Sequence, residues 1–295
     1  MIDVSSDRTR ISLPALLGYL LAAAVLVALS VGIVILGRHW LFGPAPSLVE
    51  GRPFPLEAWV AYVAVALAVL AAYLLQARFV ERRPCRELSP QHLDELLLAA
   101  AAGVGLTLLV VLMLWLAGSY HILGWRGPAD LLAPSLMAIG ASLMEEILIR
   151  GFVLGLVQRW GGSVVALGVT AVLFGGLHFD NAGGGAWPVV TLMLGPGFAL
   201  GAAALATGRL WLSIGLHFGW NFGQSGLFGL LDSGTSFSSV IDASVTGPYW
   251  LTGGAFGPEA SLPVLTAWIL LGLFYFDRAR RLGRLVPFRP ATSPG

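Results

Sequence analysis

The sequence predicts an all-α, polytopic membrane helix bundle of about eight transmembrane helices, with its chemistry concentrated in helices four to seven. Three observations carry that prediction. Of 295 residues, 57% are hydrophobic and only 11% charged, whereas average usage is about 25% charged; mean hydropathy is +0.81. Apolar windows of membrane-crossing length recur eight times along the chain. Arginines are divided very unevenly between the segments joining those windows.

The windows fall at 11–36, 56–76, 95–117, 131–156, 163–179, 187–206, 210–231 and 261–276, against the ~20 residues a helix needs to cross the hydrocarbon core. Inside a bilayer every backbone group must find its partner internally, so these windows are helices. The first follows Arg8 and Arg10, yet it is longer than a signal-peptide core and no small-residue cleavage pattern follows, so it reads as an anchor. Ahead of the third, Ser89 can cap and Pro90 can take the first helical position, with His92, Asp94 and Glu95 forming an interfacial turn. After the fifth, Gly183-Gly184-Gly185 reads as a flexible turn without phosphate-loop context. Trp187 and Trp211, near span ends, read as interface anchors.

Thirteen arginines fall on one side of this arrangement, three (Arg38, Arg52 and Arg126) on the other, and Arg150 inside a span. The positive-inside rule then places both termini in the cytoplasm. The 232–260 loop, with Asp232, Asp242 and Glu259 and no basic residue, lies outside. All 17 basic residues are arginine; with the Ala/Gly/Leu bias, this points to a GC-rich bacterial genome and hence a bacterial plasma membrane. A net charge of +1 gives no sign of a nucleic-acid partner, and the single Cys85 excludes an intrachain disulfide or a thiolate metal cluster. The organisation expected is helices one to three over 1–127, a catalytic core over 128–232, an outer loop over 233–260, and a last helix with a basic tail over 261–295.

Polar residues in these spans are few and patterned. Glu146 and Arg150 are one helical turn apart and within ion-pairing reach, while Glu145 is turned about 100° from its neighbour. The simplest division makes Glu146–Arg150 a buried structural pair and leaves Glu145 free to act. Phe174 and His178 share a face of the fifth helix, with Gly175-Gly176 permitting close approach or a break. His217 and Asn221 share a face of the seventh. Taken singly, each pair is as readily interhelical glue as function. Together, a carboxylate can take a proton from water, a histidine can orient that water, and a His/Asn pair can donate to an oxyanion. The same Glu145, His178 and His217 can instead bind zinc with one open position; spacing does not separate the two. Neither Ser142 nor Ser213 has a nucleophile's context, and both read as packing residues.

Glu145-Glu146-x-x-x-Arg150, Phe174-x-x-x-His178 and His217-x-x-x-Asn221, with 33 residues from Glu145 to His178, resemble the three motifs of the CPBP intramembrane proteases. That family includes the type II CAAX prenyl endopeptidases and the bacterial Abi and bacteriocin self-immunity proteins. The resemblance covers about residues 130–230. It implies a glutamate-dependent endopeptidase in which Glu145 activates water with help from His178. His217 and Asn221 form the oxyanion hole, and Glu146, Arg150 and Phe174 support the site. No metal cofactor is expected, and the implied partner is a membrane-associated peptide or protein. Two other classes stay open: a non-proteolytic scaffold or immunity protein of the same fold, and a proton-coupled transporter, against which the missing internal repeat counts. Straight helices put His217 ~12 Å in from Arg209 and His178 ~28 Å in from Arg159. Tilt, a late start to the fifth helix or a break at Gly175-Gly176 must therefore bring them level.

Overall fold

The computed structural model describes residues 10–42 and 56–288; Arg8, Arg52 and Arg289 of the charge argument lie outside them. Apolar runs become helices in the expected order. They are α1 (Leu13–Phe42), α2 (Leu56–Leu75), α3 (Leu93–Leu116), α4 (Leu132–Glu146), α5 (Gly155–Gly176), α6 (Ala186–Leu192), α7 (Phe198–Thr207) and α8 (Trp211–Phe222), with a short α9 (Tyr249–Thr252) and α10 (Leu262–Arg281). The protein is an all-α polytopic membrane bundle. Among the described residues, six helical stretches are long and apolar enough to cross a membrane. The fourth and fifth expected spans run end to end through one stretch, Leu132–Gly176; π-helical turns over Ile147–Leu154 lie within the fourth, and the boundary between the two falls at Gly162. That stretch breaks at Gly162 (φ 82°, ψ 175°), a left-handed position where a side chain is strained. A Cβ there would also fall 2.8 Å from the Val286 carbonyl oxygen. Gly175 and Gly176 stay helical, so of the three ways left open to bring the histidines level a break there is not the one observed. α8, with the π turn Gly223–Leu227 that extends it, is at the short end of a crossing.

Close packing positions the core helices. α8 lies against α3, α4 against α2, and α7 against α10. Along the α3–α8 seam, Cβ atoms added at Gly103, Gly215 and Gly219 would stand 2.5, 2.4 and 2.0 Å from backbone oxygens of the facing helix. Only glycine fits such an approach.

Three local expectations change. Ser89 does not cap by its side chain; Pro90–His92 form a 3₁₀ turn before α3, and the Ser89 carbonyl accepts from Trp211 Nε1 at 2.9 Å. Within the Gly183–Gly185 turn, Gly183 is held close, since a Cβ there would lie 2.6 Å from the Phe256 nitrogen, whereas Gly185 has open space. The 233–260 segment is more than a connection. Its strand β2 (Ile241–Val245) pairs antiparallel with β1 (Tyr120–Trp125), from Tyr120↔Val245 to Trp125↔Ile241, with an irregularity between Ile122 and Gly124. The partners are more than a hundred residues apart, so no local pattern announces the pairing.

Candidate active site

Glu145 and Glu146 end α4, where the helix passes into its π-helical turns. Glu146 and Arg150 are both fully buried, and Arg150 Nη1 donates to Glu146 Oε1 at 2.8 Å. The second guanidinium nitrogen donates to the carbonyls of Pro196 (3.2 Å) and Gly197 (3.0 Å). These carbonyls lie just past the point where the α6–α7 helix leaves helical geometry at Gly195 and carries Pro196. The Gly-Pro-Gly run at 195–197 is the sequence signal for this break, and the apolar window concealed it. The Arg150 guanidinium also lies 4.6 Å above the Phe174 ring.

Phe174 is the hub of the site. Its ring centroid stands 5.1 Å from that of His178 and 5.8 Å from that of His217. α5 and α8 thus bring both histidines to one place despite their unequal distances from the arginine-rich end. His178 lies just past α5, where its Nδ1 donates to the Phe174 carbonyl at 2.7 Å. That bond fixes the tautomer and leaves Nε2 as an acceptor, 3.9 Å from Glu145 Oε2. Glu145 is the more open of the two glutamates, its side chain 16% exposed.

His217 corrects the expected division. Its Nδ1 donates to Glu146 Oε1 at 3.0 Å, so Glu146 holds both Arg150 and His217. Spacing predicted the Arg150 pair but not the histidine, whose direction depends on how α8 is rotated against α4. Asn221 is buried; its backbone carbonyl accepts from Ser225 Oγ at 2.7 Å. Ser142 and Ser213 donate to the carbonyls of Ala138 (2.7 Å) and Leu200 (2.9 Å), in keeping with packing roles. Among the described residues no group of three or more His, Cys, Asp or Glu side chains is gathered as metal ligands.

Two acids expected in an outer, solvated loop are instead buried beside the site. Glu259, 6% exposed, accepts from Trp220 Nε1 (2.9 Å) and Gln224 Nε2 (3.3 Å) of the α8 segment. It also accepts from the Ser233 backbone nitrogen (2.9 Å) and hydroxyl (2.6 Å). The Ser233 carbonyl in turn accepts from Asn181 Nδ2 at 3.1 Å, three residues beyond His178. Glu259 therefore ties the two histidine-bearing segments to one cover. Asp232 is 4% exposed, and its Oδ2 has no hydrogen-bond partner. Burial, with Glu259 and Glu145 nearby, pushes its carboxyl well above the usual aspartate range. Gln224, three residues past Asn221, extends the polar stripe of α8 and was the legible hint of this network.

Fold and site together define an integral membrane protein with a buried carboxylate–imidazole centre. Residues 127–223, which contain all three motifs, match the family model described as type II CAAX prenyl endopeptidase Rce1-like, a match that supports a CPBP/CAAX-type family. No curated protein and no solved structure matches the chain.

Proposed function

We infer that the protein is an intramembrane endopeptidase that hydrolyses peptide bonds in membrane-associated peptides or proteins. The family match supports a protease of the CAAX type. The observation that carries the reading is the approach of His178 Nε2 to Glu145 Oε2 at 3.9 Å. Two acceptors at that separation are too far apart for a direct hydrogen bond and suit a single water donating to both. Glu145 takes a proton as that water attacks the scissile carbonyl and returns it to the leaving amine, while His178 keeps the water aligned. His217, anchored through Nδ1 on Glu146, offers Nε2–H to the oxyanion when the ring carries both protons. Asn221, whose side chain makes no hydrogen bond among the described residues, supplies the second donor.

In this reading the reaction needs no metal, and the arginine-rich end with both termini faces the cytoplasm of a bacterial cell. A C-terminal tag protected from external protease in intact cells supports that orientation; cleavage of the tag overturns it. The decisive experiment is cleavage of a membrane-anchored reporter by purified protein. Glu145→Gln and His178→Ala are expected to lose about 10²–10⁴-fold in rate while remaining folded. Cleavage at the wild-type rate by both variants sinks the assignment.

A further inference from the structure

A cavity lies among the arginine-bearing segments, and of the active-site residues described above only Arg150 borders it. It is about 120 Å³, where by the same measure a single water needs about 10–15 Å³. Besides Arg150, four arginines border it from separate chain segments: Arg83 after α2, Arg159 near the start of α5, Arg209 between α7 and α8, and Arg284 after α10.

The ion pairing around this cavity leaves one cation over. Glu81 accepts from Arg83 Nε (3.0 Å) and Arg159 Nη1 (2.6 Å). Glu87 accepts from Arg83 Nη1 at 2.6 Å and from the Tyr73 hydroxyl. Burial pushes the Glu87 carboxyl up, but Arg83 and Tyr73 outweigh it and hold it below the usual range, so it is an anion already committed. Arg209 pairs with Glu95. Arg284 donates to the carbonyl of Ala206, and the carboxylate that acts on it, Glu95, is already paired with Arg209. Burial and the like charges of Arg209 and Arg278 hold its guanidinium below the ordinary value, in keeping with a surplus of positive charge. Leu154, Leu156 and Leu205 supply an apolar wall beside the guanidinium groups.

We propose that this cavity is a binding site for a phosphate anion, held by Arg284 with Arg209 and Arg159 around it, and that the leucine wall accommodates the glycerol region when the phosphate belongs to a phospholipid. Basic pockets between transmembrane helices at the membrane boundary take anionic headgroups by this combination of charge and apolar wall, and arginine's planar fork matches phosphate oxygens. The site does not depend on the proteolytic reading: Glu145, His178, His217 and Asn221 are absent from its lining, and Arg150, which borders it, is committed to Glu146.

The test uses the full chain in detergent, with phosphatidylglycerol, phosphatidylcholine and inorganic phosphate as probes. Native mass spectrometry is expected to retain one phosphatidylglycerol on the wild type in preference to phosphatidylcholine. Arg284→Gln should weaken that binding at least fivefold, and Arg284→Lys should restore most of it. Protection against heat by inorganic phosphate, but not by chloride at equal ionic strength, with no retained lipid, identifies free phosphate as the ligand and supports the site in its simpler form. Absence of saturable binding by any probe, or equal binding by wild type and Arg284→Gln, overturns the proposal. Should Arg284→Gln not fold, competition decides: inorganic phosphate must displace the retained lipid from the wild type, and failure to displace it overturns the site.

Discussion

Replacing Glu146 by Gln keeps the shape of the side chain and removes its charge. In the folded protein Arg150 is fully buried, and its one carboxylate contact among the described residues is Glu146 Oε1 at 2.8 Å. Breaking a buried ion pair from one side costs about 3–5 kcal/mol, because the remaining charge stays desolvated. The carbonyls of Pro196 and Gly197 still accept from Nη2, so the lower end, about 3 kcal/mol, is expected. At about 1.4 kcal/mol per decade, that lowers the folded-to-unfolded ratio roughly a hundredfold. His217 loses its Nδ1 acceptor in the same step, so activity should fall as well. Reversible unfolding of purified protein in mixed micelles, driven by an increasing mole fraction of dodecyl sulfate, measures the change. The cycle with Arg150→Met sharpens it. The double variant should be less destabilised than the two single changes added together, with a coupling of about 1–3 kcal/mol. Glu146→Gln unfolding within about 0.5 kcal/mol of wild type, the usual scale of an inconsequential substitution, would refute the buried-pair argument. So would strict additivity.

The α3–α8 seam gives a paired prediction: Gly219→Ala, whose Cβ would lie 2.0 Å from the Ala100 oxygen, should destabilise by about 1–3 kcal/mol or more. Gly105→Ala, with nothing within 4 Å of the added carbon, should be neutral or slightly stabilising in the same unfolding assay. Asp232 sets a pH dependence. A carboxyl whose folded pKa is raised contributes stability that is complete below the unfolded value and is lost as pH rises through the folded one. Asp232→Asn should therefore be more stable than wild type at pH 8, with the gap closing toward pH 4; a pH-independent difference in unfolding midpoint would contradict this. Finally, reporter cleavage should survive a chelator and metal analysis should find no stoichiometric zinc. Activity lost and restored together with zinc would overturn the metal-free chemistry.

The legible features were those that depend on local spacing. Apolar windows gave the helices, and the i, i+4 spacing of Glu146 and Arg150 gave an ion pair observed at 2.8 Å. The same rule put Phe174 beside His178, whose rings lie 5.1 Å apart. What spacing could not supply was the rotation of one helix against another, which decided that His217 turns to Glu146. Nor could it supply the folding back of a distant segment. Asp232 and Glu259 sit among small, polar and glycine residues that look solvated in one dimension. Their burial comes from contacts with α8 and with the turn after α5, made across tens of residues.

The position of Glu259 also bears on the order in which the site is completed. All three motifs have been synthesised once Asn221 is in the chain, yet the carboxylate clamping Trp220 to Ser233 arrives 38 residues later. It lies two residues before Ser261, which caps α10 by accepting from the Val264 nitrogen. Domains generally fold from the N-terminus during synthesis. A nascent chain, or one truncated in the loop after β2, therefore carries every motif residue while its cover is still unfastened. The last helix to enter the membrane brings the clasp with it.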